Sequence, residues 1–240
     1  MRTPNIRRGF TLVELLVVIA IIALLISILL PSLRNSREIA KTLICATNWR
    51  SLKVANEYYA DESKEWYVPI NGGRPLGAWL GNRLYGRMMG LNGPIGWRLQ
   101  DYRCPSTPPN PLPLGPGQTG GGRNVFAWNW SNVYTNYGPT IPRRTRVVGR
   151  QSEIIQGSDC TDWHMHRNYS RFSTWQNHRE MRLWMVAYRH INDQANVVFF
   201  DGHIEALGPD DIAIDRVPQD QFHRMWNVYE KLETEVPPGL

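Results

Sequence analysis

A chain of 240 residues, 42% of them hydrophobic, is long enough for one well-buried domain and an anchor. Mean hydropathy is nonetheless −0.40, so the apolar character is concentrated in places. The formal charge of +6 does not mark a nucleic-acid partner: Arg2, Arg7 and Arg8 precede a hydrophobic run, and without residues 1–9 the balance is 24 Lys+Arg against 21 Asp+Glu, an ordinary +3.

From Leu12 to Leu30 every position is apolar except Glu14 and Ser27. At about 1.5 Å per residue this helix would be ~28 Å long, close to the ~30 Å hydrocarbon core of a bilayer. The run is longer than the apolar core of a cleaved secretory signal, and Leu29-Leu30-Pro31-Ser32-Leu33 is a poor small-x-small cleavage site. A plain signal anchor would leave Glu14 unexplained, since an unpaired charge costs on the order of 2 to 3 kcal/mol at mid-bilayer and somewhat less near the interface. A carboxylate at this depth points to a function. Arg34, Arg37 and Lys41 follow the span much as the three early arginines precede it, so charge bias alone does not set the orientation.

The segment from Arg7 through Gly9-Phe10-Thr11-Leu12-Val13-Glu14 to Ile22 resembles the cleavage and methylation segment of type IV prepilins and pseudopilins. The resemblance implies that residues 1–9 are a leader and that a membrane prepilin peptidase cuts after Gly9 on the cytoplasmic side. The same enzyme would methylate Phe10, the first residue of the mature chain. It implies further that Glu14 is the glutamate five residues in, which pairs with the N-terminal amine of a neighbouring subunit, and that Pro31 kinks the helix. The N-inside orientation also comes from the resemblance.

Beyond Pro31, Leu33, Ile39, Leu43, Ala46, Trp49, Leu52, Ala55 and Tyr59 form an apolar stripe at mostly helical steps. The expected organisation is therefore a transmembrane helix over residues 10–30, its amphipathic continuation over 31–60, and a globular head over 61–240. A proline removes one helical hydrogen bond, so Pro31 is either a boundary or a kink. The segment 104–122 is too rich in Pro and Gly for regular structure and reads as a long surface loop. Its glycines lack the Lys-Ser/Thr pair and the strand-to-helix setting of a phosphate cradle. Near the C-terminus, residues 195–200 and 203–207 read as two strands around an Asp201-Gly202 turn of type I′, in which both central residues need positive φ. The expected fold class is α+β, with the long N-terminal helix packed on a small antiparallel sheet with long loops.

Arg189-His190, Ala195-Asn196-Val197 and Asp201-Gly202-His203 are similar to the C-terminal motif of a large bacterial group of pilin-like proteins, in which a His precedes Asp-Gly by nine intervening residues. Here ten intervene, the extra one lying in the 191–194 loop. Cys45 with Asn48, Tyr102-Arg103-Cys104-Pro105-Ser106, and Tyr137-Gly138 fit the same pattern. Three cysteines without a C-x-x-C pair do not support a zinc ribbon or a thioredoxin-like motif. In an oxidising compartment they suggest one disulfide and one free thiol, and three pairings are open. The group's pattern implies the pair Cys45–Cys104, which would restrict the unfolded chain by about 3 to 4 kcal/mol in the chain-entropy model.

Residues 159–166 bring together Asp159, Cys160, Asp162, His164 and His166, side chains able to bind zinc or copper, but the histidines lie two apart and the stretch also reads as a polar loop. No metal ligand set is assigned there. The G-x-S-x-G elbow is absent, no catalytic residue is assigned, and the chain is not expected to be an enzyme. Asp201, Asp210, Asp211 and Asp215 are candidate Ca²⁺ ligands because some related pseudopilins hold Ca²⁺ with C-terminal loop oxygens; turn and helix-cap chemistry is the simpler account. Ten tryptophans and ten tyrosines leave a sugar-binding surface open, although scattered aromatics usually serve the core.

Together the resemblances imply a structural filament subunit of a type IV pilus-like or type II secretion machine. It would be a single-pass cytoplasmic-membrane protein with its head on the exported side, its partners being other pilin-like subunits and the prepilin peptidase. The alternative is a membrane-anchored exported protein that binds carbohydrate or metal and uses the segment only for sorting.

Overall fold

The computed structural model describes residues 11–69, 81–94, 104–107, 126–129, 134–135, 138–139, 149–161, 164–165, 169–177 and 185–226. Helix α1 runs unbroken from Leu12 to Glu62, through Pro31, so anchor and continuation are one helix. It starts at a capping box: the Thr11 side chain accepts from the Glu14 backbone, and the Glu14 carboxylate accepts from the Thr11 N–H. It ends where Lys64 and Glu65 adopt positive φ, of 54° and 71°, which turns the chain out of the helix. The Glu65 N–H returns to the Ala60 carbonyl.

A short helix α2, Arg83–Met88, is capped by the Asn82 side chain and docks on α1 through the Tyr85 hydroxyl, which donates to the Leu52 carbonyl. The strands are β1 (Phe126–Asn129), β2 (Tyr134–Thr135), β3 (Gly138–Pro139), β4 (Ile155–Asp159), β5 (His164–Met165), β6 (Ala195–Phe199) and β7 (Ile204–Leu207). The main sheet has the order β5-β1-β4-β6-β7, antiparallel except for the parallel β1–β5 pair; β2 and β3 form a separate two-stranded pair. Helices α3 (Phe172–Asn177), α4 (Pro209–Ile212) and α5 (Gln219–Trp226) complete the described elements. The fold is α+β, with a long helix on a small, largely antiparallel sheet.

The sheet separates two cores. Strand β6 is buried along its whole length, and because successive side chains alternate, Val198 joins a cluster with Cys45, Trp49, Leu52, Ala55 and Tyr59 of α1. Ala195, Val197 and Phe199 face the other way, toward Phe172, Trp175, Phe222 and Trp226. Alternation alone would put Ile155, Gly157 and Asp159 of β4 on one face, but a bulge intervenes: Ile155 pairs with Phe199, and Gly157 already pairs with Val198. The extra residue, Gln156, reverses the parity, so Asp159 points to the α1 side.

The β6–β7 hairpin closes at Asp201-Gly202, but with a three-residue loop instead of the expected two-residue type I′ turn. Phe200, Asp201 and Gly202 form it: the Phe199 N–H donates to the His203 carbonyl, the Gly202 N–H to the Phe199 carbonyl, and only Gly202 of the Asp-Gly pair has positive φ, at 95°. Phe200 leaves the ladder because its backbone is used elsewhere. Its N–H donates to the Ile154 carbonyl, and its own carbonyl accepts from Lys53 Nζ at 2.8 Å. A Cβ on Gly202 would meet Lys53 at an ordinary 3.6 Å, so the obstacle to a side chain is the backbone angle. Gly202→Ala is expected to cost about 1 to 2 kcal/mol, read as a lowered urea midpoint with an unchanged slope.

The apolar stripe on α1 is buried only in its later part. Trp49, Leu52, Ala55 and Tyr59 are covered, whereas Leu33, Ile39 and Leu43 are exposed, because the head begins to touch the helix near Thr42.

Candidate functional site

Two arrangements carry chemistry. The first is the start of α1. Every large apolar side chain from Leu12 to Leu30 is exposed, in the one helix of the described residues long and apolar enough to cross a membrane. Glu14 is the acidic residue of its first turn, and its Oε2 accepts from both the Thr11 N–H and the Thr11 hydroxyl at 2.8 Å. Thus Glu14 caps its own helix. Gly9 and Phe10 lie outside the described residues.

The second arrangement lies where α1, β4, β6 and the Cys104–Thr107 turn meet. Asp159, 1% exposed, is its hub. Its Oδ1 accepts from the Trp49 indole at 3.1 Å. Its Oδ2 accepts from the Asn196 backbone N–H and from His190 Nε2, each at 2.9 Å. Asn196 also donates from its side chain to the Thr42 carbonyl of α1. A buried carboxylate is tolerable only when it is paired and hydrogen-bonded in this way. His190 reaches it because Asn192 and Asp193, both at positive φ, fold the chain so that His190 and Gln194 bridge antiparallel. The ten-residue interval before Asp201 therefore still brings His190 into the cluster.

Near the same ring nitrogen of His190 sit the two cysteines that the sequence pattern associated. Cys45 and Cys104 are buried and free, with Sγ atoms 2.8 Å apart, and Cys104 Sγ lies 4.0 Å from His190 Nε2. One ligand-type atom from each of Cys45, Cys104 and His190 falls within 4.8 Å of the others. The hydrogen bond donated by Cys45 pulls the Cys104 thiol down, against burial and with help from His190, to about 6, and raises Cys45. Burial pulls the imidazole of His190 down, but Asp159 and Cys104 outweigh it and the group is raised to about 9. The arrangement is not a Cys–His–Asp relay. Cys104 and Asp159 both face Nε2, while Nδ1 is buried without a hydrogen-bond partner among the described residues.

Among the described residues the remaining candidates do not gather. Cys160 belongs to the core on the opposite face of the sheet. His164 lies on β5, and Asp162 and His166 fall outside the described residues. Three of the four candidate aspartates have local partners: Asp201 accepts from the His203 N–H, Asp211 from the Gly208 N–H, and Asp215 from the N–H groups of Phe172 and Ser173 at the start of α3. Hydrogen bonds to Ser173 and Phe172 outweigh burial and lower the Asp215 pKa. Asp210 is in the first turn of α4. Trp49, Trp66, Trp175 and Trp226 are buried and serve the core. Lys53 and Asn56 are two buried polar residues that the apolar pattern missed: Lys53 pairs with Glu57 and lies 5.1 Å from the Tyr67 ring centre, and Asn56 accepts from the Val68 N–H.

No curated protein and no solved structure matches the chain. Residues 4–30 match the family described as the prokaryotic N-terminal methylation motif. The match covers Arg7, Arg8, the Gly9-Phe10 pair, the capping box and the exposed apolar start of α1. The chain thus carries at its N-terminus the methylation motif typical of type IV pilins and pseudopilins.

Proposed function

We propose that the chain is a structural subunit of a type IV pilus-like or type II secretion filament. The observation that carries this reading is the start of α1: a methylation motif over residues 4–30 whose helical part exposes every large apolar side chain from Leu12 to Leu30. A bilayer covers such a surface in the stored subunit, and neighbouring copies of the same helix cover it in a filament. Prepilin peptidase would cut after Gly9 and methylate Phe10, leaving residues 10–30 as the span in the cytoplasmic membrane. The N-terminus would face the cytoplasm and the head the exported side, with other pilin-like subunits as partners.

Intact-mass measurement of the membrane form tests this. Loss of residues 1–9 together with one added methyl group is expected in a host with an active prepilin peptidase, and the mature chain should crosslink to other pilin-like subunits. An unprocessed Met1 terminus in such a host would sink the proposal.

A further inference from the structure

Cys45 on α1, Cys104 on its turn and His190 ahead of β6 are brought together from across 145 residues of sequence, all three buried. The two sulfurs, 2.8 Å apart, need only a small side-chain adjustment to reach the ~2.05 Å of a covalent bond. Two thiolates on one tetrahedral zinc would sit about 3.8 Å apart, given ~2.3 Å Zn–S bonds. His190 Nε2, 4.0 Å from Cys104 Sγ, is already hydrogen-bonded to Asp159. The geometry therefore fits a disulfide better than a metal. Cys160 is out of reach on the other face of the sheet.

We propose that Cys45 and Cys104 are a thiol–disulfide site in which His190, clamped by Asp159, holds Cys104 as the attacking thiolate and Cys45 is the resolving thiol. The inference rests on the reading that the head is exported, where disulfide-bearing oxidants are found. When the turn opens, the Cys104 thiolate attacks one sulfur of an oxidant disulfide, breaking that bond and releasing one thiolate. Cys45 then attacks the Cys104 sulfur of the mixed disulfide and releases the second. The two protein thiols lose two electrons and two protons, and the oxidant leaves as two thiols. The product ties the Cys104 turn to α1. His190 is a positioning residue: its imidazolium, 4.0 Å from Cys104 Sγ, favours the thiolate and adds to the larger lowering that the Cys45 hydrogen bond gives that thiol.

The test uses the full chain in detergent, purified from an exporting host. Its intact mass should be two hydrogens lighter than the reduced form, and peptide mapping should find Cys45 joined to Cys104 with Cys160 alkylated alone. The same spectrum reports loss of residues 1–9 separately, so failure of processing and failure of pairing are told apart. After reduction, oxidised glutathione should form a mixed disulfide on Cys104 in Cys45→Ser at least tenfold faster at pH 6.5 than on Cys45 in Cys104→Ser. In the double variant His190→Gln, Cys45→Ser, the reaction should slow at least tenfold at that pH and recover only near the ordinary thiol range of about 8.5. A bridge that includes Cys160 would overturn the proposal. So would two free thiols with one zinc per chain by atomic spectroscopy, preferential glutathionylation of Cys45, or a pH profile that His190→Gln leaves unmoved.

Discussion

Asp159→Ala is expected to be the most destabilising single change in the head, by about 3 to 5 kcal/mol, because it breaks a buried ion pair from one side. His190 would be left without its carboxylate, and the Trp49 indole and the Asn196 N–H without their acceptor, all in a dry interior. For a chain of this size the melting temperature should fall by roughly 6 to 20 °C. Asp159→Asn keeps the volume but places an amide where donors converge, so it should recover only part of the loss. The same hub carries a related pH dependence. His190 has a folded pKa of about 9, above the ordinary value near 6.5, so its stabilisation is complete below that ordinary value and is lost as the pH rises through 9. The groups facing it are Asp159, Cys45, Cys104 and Asn196. Cys104, lowered to about 6, adds the opposite slope over the same window, so the His190 contribution is read in Cys104→Ser, where melting curves between pH 6 and pH 9.5 should decline, and decline less once His190→Gln is added. A protein whose stability ignored both Asp159→Ala and, in Cys104→Ser, this pH window would show that the hub does not hold the head to α1.

Glu14→Leu is expected to abolish or severely reduce filament incorporation while leaving leader cleavage and membrane insertion intact. The bilayer favours leucine over glutamate, so reduced membrane retention cannot account for such a defect. In a filament the Glu14 carboxylate would meet the Phe10 amine of a neighbour, and opposite charges attract far more strongly away from water. The capping box adds a control that sequence alone did not suggest. Glu14→Leu removes both a negative charge and a cap on the Thr11 N–H, whereas Glu14→Gln removes the charge and can keep the cap. If the charge is the assembly determinant, the glutamine variant should fail nearly as badly as the leucine variant. If Glu14→Gln assembles normally and Glu14→Leu does not, the cap is what matters. Normal incorporation of both, read by crosslinking beside wild type, would favour the anchored binding protein that uses its helix only for sorting.

What could be read in advance divides along a physical line. The membrane-length helix, its continuation past Pro31 and the Asp201-Gly202 hairpin were legible because each rests on local pattern: hydrophobic run, helical period, turn chemistry. The Asp159 hub was not, since it depends on the one-residue bulge at Gln156, and ordinary alternation would have turned Asp159 toward the other core. The contents of the helix-facing surface were only half legible. Trp49 and Leu52 follow the apolar period, but Lys53 and Asn56 are buried because backbone and side-chain partners await them, which no period reveals. The stripe from Leu33 to Leu43, which opens on a six-residue step, is exposed. For the cysteines, three pairings were open from spacing, and the fold leaves one pair within reach by putting Cys160 behind the sheet.

Helix α1 also has a mechanical consequence. At about 1.5 Å per residue its 51 residues make a rod of roughly 77 Å, and the head grips it from Thr42 onward, leaving some 45 Å free on the other side of the grip. Of the holds on the rod, which include those at Leu52, Lys53 and Asn56, the Asp159 cluster, acting at Thr42 and Trp49, lies nearest the free end. A tilt of a few degrees there swings Leu12 sideways by several ångströms, so the stiffness of that small buried knot sets how accurately the far tip can be aimed.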